Sequence, residues 1–215
     1  MGMTSVTDTR AGVAGIIFVA AALVDAVMTG LPPAPTLGAP ALMRYLADQG
    51  PFINTAAALS MAITPAITWY LVRLVTRCQR AGQPTLAVAV IVLSAAGGAL
   101  FLGSWCLFHA ARFLASSQPP DTVFALAVGS ALAAAQLTFC LGLLMLVVSV
   151  VVHRSLAFAV WYGWLGFLSA AVAIGTSAAS LTSLSRLGVH GFGLLAFLVW
   201  VGCGSVLFIR GRTMN

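Results

Sequence analysis

Charged residues punctuate this sequence at wide intervals, and the stretches between them are almost wholly apolar. Residues 86–108 contain no charge, and at ~1.5 Å per residue they extend roughly 34 Å, enough to cross a ~30 Å hydrocarbon layer as a helix. Applied along the chain, the same reading gives spans at about 11–29, 52–75, 86–112, 122–152, 156–183 and 192–209. The expected fold class is therefore an all-α integral membrane protein, a bundle of six transmembrane helices forming a single domain over 1–215.

The polar intervals predict how the spans are joined. Thr7 or Asp8 is placed to cap the first helix, because a side-chain oxygen there accepts from the free N–H groups of the first turn. Pro32, Pro33, Pro35 and Pro40 make the connection after the first span a loop. Beyond Pro40, Leu42, Tyr45, Leu46 and Gln49 share one helical face, Arg44 and Asp48 form an i,i+4 pair, and Gly50 is a stop. That pattern predicts a short amphipathic helix lying on the membrane surface between spans one and two. Span two contains Pro65, which predicts a kink, and closes on Trp69 and Tyr70 as interfacial anchors before an arginine-rich loop of Arg73, Arg77 and Arg80. Trp161, Tyr162 and Trp164 open span five at the same depth. Along that span Ala171, Gly175, Ala179 and Ser183 recur every fourth residue, a ridge that lets another helix approach closely; Ala127, Ala131 and Ala135 form a shorter one in span four.

Composition excludes the water-soluble classes. Hydrophobic residues make up 61% of the chain and charged residues 7%, against about 25% charged in a soluble domain, and the mean hydropathy is +1.06. Every basic residue except histidine is arginine, so the net charge of +6 is a topology signal rather than a nucleic-acid footprint, and without lysine there is no Schiff-base chemistry. The alanine, glycine, valine and arginine bias suits a GC-rich bacterial genome. Four scattered cysteines, Cys78, Cys106, Cys140 and Cys203, form no CxxC and read as packing residues. The first apolar run lacks a small-x-small cleavage site before Pro32, so it is expected to be retained as a span.

Placing the N-terminus in the cytoplasm puts Arg10, Arg73, Arg77, Arg80, Arg154, Arg210 and Arg212 inside and leaves Arg44, Arg112 and Arg186 outside, which satisfies the positive-inside rule. Both termini are then cytoplasmic. The same orientation brings Asp25, Asn54, His109 and Arg112 towards the outer side, with Ser130, Thr176 and His190. Asp25 lies about 22 Å along the helix from Arg10, below the outer edge of the hydrocarbon, where a carboxylate needs a cationic partner or must lose its charge. Two readings follow. Either Asp25 forms a structural ion pair with Arg112 or His109, or Asp25, Asn54, His109 and Arg112 line an outward-facing pocket for a small polar or anionic ligand. A metal site would need more ligands than Asp25, His109 and His190 supply, a haem would need histidines paired in depth, and Gly97-Gly98 follows no strand and is no phosphate loop. No catalytic set, metal or cofactor is expected.

Arg10-Ala11-Gly12 leading into the first span, Trp161-Tyr162-Gly163-Trp164-Leu165-Gly166 opening the fifth, and Trp200 in a sixth span ending at Arg210 resemble in layout bacterial six-helix membrane proteins catalogued as a domain of unknown function. That resemblance implies a six-helix bundle and supplies no catalytic residues. Function is expected first as a non-enzymatic accessory or scaffold subunit of the cytoplasmic membrane, with the lipid bilayer around it and a second copy or a larger complex packed on Ala171, Gly175 and Ala179. A small transporter, channel or ligand-binding protein using the outer polar cluster comes second, and an intramembrane enzyme third.

Overall fold

The computed structural model describes residues 6–30, 32–33, 35–155 and 158–210. It is all-helical, with no strand among the described residues: α1 Val6–Thr29, α2 Gly38–Arg80, α3 Pro84–Leu114, α4 Pro120–Ser155, α5 Val160–Thr182 and α6 His190–Arg210. Six helices are long and apolar enough to cross a membrane. Short 3-10 segments precede α2 (Pro35–Leu37) and α6 (Leu184–Val189).

Local chemistry accounts for most of the helix ends. Gly30 closes α1 at φ +63°, its N–H bonded to the Ala26 carbonyl, a conformation that costs glycine nothing. Pro84 and Pro120 begin α3 and α4, where proline forfeits no helical hydrogen bond. Asp8 is not a cap. The helix already begins at Val6, so Asp8 stands within its first turn and is available for another role.

The amphipathic surface helix expected between spans one and two is not a separate element. α2 runs unbroken for 43 residues, through Gly50, Pro51 and Pro65, about 64 Å of helix against a ~30 Å hydrocarbon layer. Its apolar face is real, but it turns onto protein: Leu42, Leu46 and Ile53 are buried against Ala111 of α3 and Val123 of α4. The arginine-rich loop is likewise the last turns of α2. Arg73, Arg77 and Arg80 are all helical, and Cys78 is fully buried among them.

Consecutive helices run antiparallel, as do α1 and α6. α4 is the most enclosed of the six, packed between α3 and α5 and touching α2 and α6; α1 packs on α2 and α6. Glycines mark the closest approaches: a β-carbon at Gly12 would sit 2.6 Å from Ile209 Cγ1, and one at Gly142 2.7 Å from Ile174 Cγ1. Most of the buried hydroxyls find an acceptor, as an apolar surround requires, Ser94 Oγ being one that does not. Thr138, Ser149 and Ser205 donate to carbonyls one turn back on their own helices, while Ser177 donates to the Ala135 carbonyl across the α4–α5 contact at 2.6 Å and Ser104 to the Ser130 carbonyl across α3–α4 at 3.0 Å.

Candidate functional site

The residues singled out at the Asp25 end do not converge. α1 and α3 do not pack on one another; the first turns of α2 lie between them. Tyr45 on α2 donates its hydroxyl to the Thr29 carbonyl at the end of α1 at 2.9 Å, and Thr29 in turn donates to the Asp25 carbonyl at 2.9 Å. On the α3 side the Arg112 guanidinium lies against Gly50, where a β-carbon would come within 2.8 Å of its central carbon. Gly50 therefore serves as a seat for arginine and not as a helix stop. Asp25 is half-buried and makes no ion pair, so the expected pairing with Arg112 or His109 is absent. The helical continuation of residues 38–50, read from sequence as a separate surface element, is what separates them.

The remaining residues occupy three different settings. His109 is 9% exposed and packed beside the rings of Trp105, 4.2 Å between centroids, and Phe108. Asn54 is exposed, one turn beyond Gly50. Arg44 and Asp48 are exposed and form no ion pair. His190, read from sequence as a loop residue, is the first residue of α6, its N–H donating to Ser180 Oγ at 2.9 Å. Among the described residues no group of three or more His, Cys, Asp or Glu is placed to hold a metal ion.

The opposite end is organised around one carboxylate. Asp8 accepts from Arg73 Nη2 at 2.8 Å and from Arg77 Nη2 at 3.2 Å, and Arg73 also donates to Thr7 Oγ1 at 3.0 Å. These are the ion pairs among the described residues. With arginine side chains only 10–13% exposed, the pairs are shielded from water and hold the start of α1 on the end of α2. The Arg77 guanidinium carbon also lies 4.4 Å from the Phe208 ring centroid and 5.0 Å from that of Phe158, so its charge is shared between a carboxylate and two aromatic faces.

From Arg77 an aromatic column descends into the bundle. Phe208 meets Phe158 and Tyr70 edge-on at 5.7 and 5.5 Å, Tyr162 stacks on Trp200 at 5.4 Å, and Trp200 continues to Phe197. The Tyr70 and Tyr162 hydroxyls lie 3.3 Å apart with no exposure, and both crowd the space a side chain at Gly204 would need. Gly166 makes the same room for Ser149 Oγ and Trp200 Nε1, and Gly163 for His153, whose ring stacks on Phe167. Tyr70 and Tyr162 were expected at the interface; Trp69, Trp161 and Trp164 are the exposed members of those clusters, while both tyrosines are core. Hydropathy cannot separate them, but helical phase does: Tyr70, Arg73, Leu74 and Arg77 recur at i, i+3, i+4 and i+7 on one face. Two arginines on a buried face require an acceptor, and Asp8 is the nearest carboxylate to that end of the bundle.

Chemically this node is a clasp. It joins α1, α2, the segment before α5, and α6 through charge and ring contacts, and it sets no nucleophile beside a base. No family model, no curated protein and no solved structure matches the chain.

Proposed function

We propose that the protein is a non-catalytic, multi-pass component of a bacterial cytoplasmic membrane, an accessory or scaffold subunit that presents α5 to a second copy or a larger complex. Both termini lie in the cytoplasm in this reading. The observation that supports it is a difference among glycines. Those at Gly12, Gly142, Gly163, Gly166, Gly193 and Gly204 are filled by neighbouring helices of the same chain. Gly175, like Gly98, Gly103, Gly191 and Gly202, has nothing within 4 Å of where its β-carbon would be, but it alone of these lies in the ridge of Ala171 and Ala179, and Ala171 is exposed. A close-packing groove left empty within the chain suits a helix from outside it. The transporter or ligand-binding alternative rested on Asp25, Asn54, His109 and Arg112 sharing a site, and α2 stands between Asp25 and Arg112.

Gly175→Leu tests the reading. In lipid nanodiscs, native mass spectrometry and size analysis should show the variant losing an association that the wild type keeps, with the thermal stability of the single chain unchanged because the new side chain meets no neighbour in it. A wild type that is solitary in membranes, with and without the substitution, refutes the scaffold role. Reporter fusions after Arg80 and near Gln118 should read cytoplasmic and external respectively; the reverse overturns the orientation.

A further inference from the structure

Positive charge at the Asp8 end exceeds what its own carboxylate balances. Arg10, Arg73, Arg77, Arg80, Arg154 and Arg210 belong to helix ends gathered there, and the carboxylate among them in the described residues is Asp8, already held by Arg73 and Arg77. Arg10 lies two residues further along α1, on roughly the opposite side of the helix, exposed and without an ion pair among the described residues.

Arg10 lines an open groove of about 510 Å³ that runs along α1 beside α2. Thr9 stands beside it, Val13 and Ile17 continue the wall down the helix, and Ala66 of α2 closes the far side. From Val6 at the mouth to Ile17 the groove runs about 16 Å, close to half of a ~30 Å hydrocarbon layer and so the depth of one leaflet. Trp69, one turn from Ala66, is 45% exposed, and exposed indole rings favour the headgroup region of a bilayer. An apolar trough one leaflet deep, with an unpaired guanidinium and a hydroxyl near its headgroup end, has the chemistry of a lipid with a negative headgroup.

We propose that this groove binds an anionic phospholipid, its phosphate on the Arg10 guanidinium with the Thr9 hydroxyl as a second donor, and one acyl chain laid along Val13 and Ile17 against Ala66. A zwitterionic headgroup fits less well, because its ammonium group would sit among the arginines of this end. The site requires only that the chain lie in a bilayer, and it is independent of what packs on α5.

Delipidated full-length protein in mild detergent, titrated with dioleoylphosphatidylglycerol or dioleoylphosphatidylcholine and read by native mass spectrometry, tests the site. The anionic lipid should bind preferentially, and Arg10→Gln should weaken it about fivefold. Val13→Trp, which fills the trough and keeps every arginine, should weaken it as well. Arg80→Gln, removing an exposed charge at the same end, should not. Thermal unfolding without added lipid should be unchanged for all three, and if Arg10→Gln unfolds the protein, Val13→Trp against Arg80→Gln carries the comparison. Equal binding of the two lipids, an unaffected Val13→Trp variant, or an equal loss in Arg80→Gln would each overturn the proposal in favour of ordinary lipid solvation or diffuse charge.

Discussion

The two ends of the bundle each contain arginine and aspartate, yet among the described residues only one end pairs them. At the Asp8 end a carboxylate bridges two arginines on a neighbouring helix, and Arg77 is further seated on Phe158 and Phe208. At the Asp25 end the carboxylate and Arg112 lie on helices that do not pack on one another; Arg112 rests on the backbone at Gly50, and its Nε is buried without a partner among the described residues. The difference follows from which helices are adjacent. α1 and α2 are neighbours and antiparallel, so the start of one meets the end of the other, and the arginines of α2 recur on the face that looks at α1. At the other end the long first turns of α2 fill the space between α1 and α3, and they supply a tyrosine hydroxyl and a glycine seat in place of a charge.

Removing the shared carboxylate should have the largest effect. Asp8→Asn leaves two shielded arginines facing one another and should lower unfolding stability in detergent by about 3 kcal/mol, with part of the loss recovered in Asp8→Asn combined with Arg73→Gln. A single variant as stable as wild type would mean that the clasp is exchanging with water and that the two ends do not differ. Arg77→Lys keeps the charge but gives up the planar group that lies over two rings, and should cost about 1–2 kcal/mol in the same thermal assay. A null result there would assign the clasp to charge alone.

Asp25→Asn should have the smallest effect, within about 0.5 kcal/mol, because no cation is released by the change. Denaturant titration of Asp25→Asn beside Asp8→Asn sharpens the contrast directly. A loss at Asp25 matching that at Asp8 would show that the Asp25 end has a charge partner of its own and that the two ends are alike.

Much of the architecture was legible in the residues. Apolar length and sparse charge determine six helices able to cross a membrane, because a backbone in lipid must satisfy its own hydrogen bonds and a helix does so locally. The prolines and glycines place several of the ends, as at Gly30, Pro84 and Pro120. Gly50 misled, since glycine weakens a helix in isolation but is carried here by packing: Leu42, Leu46 and Ile53 bury one continuous face against α3 and α4. Local propensity is worth about 1 kcal/mol at a glycine, and a buried apolar stripe outweighs it.

The sequence by itself determined the solvent, the number and approximate limits of the helices, and the excess of arginine. Only the tertiary structure decided which side chains meet. Depth along a span can be counted from the chain, but the direction in which a side chain faces depends on which helices are neighbours. Hence Asp25 and Arg112, close in depth, are kept apart, while Asp8 and Arg77, far apart in sequence, form the clasp. Likewise Gly175 and Gly204 are the same residue in two apolar helices, and packing alone leaves one without a neighbour in the chain and fills the other with two tyrosine hydroxyls. Periodicity places residues on a helix face, whereas contact is a property of pairs of helices and is settled only when they assemble.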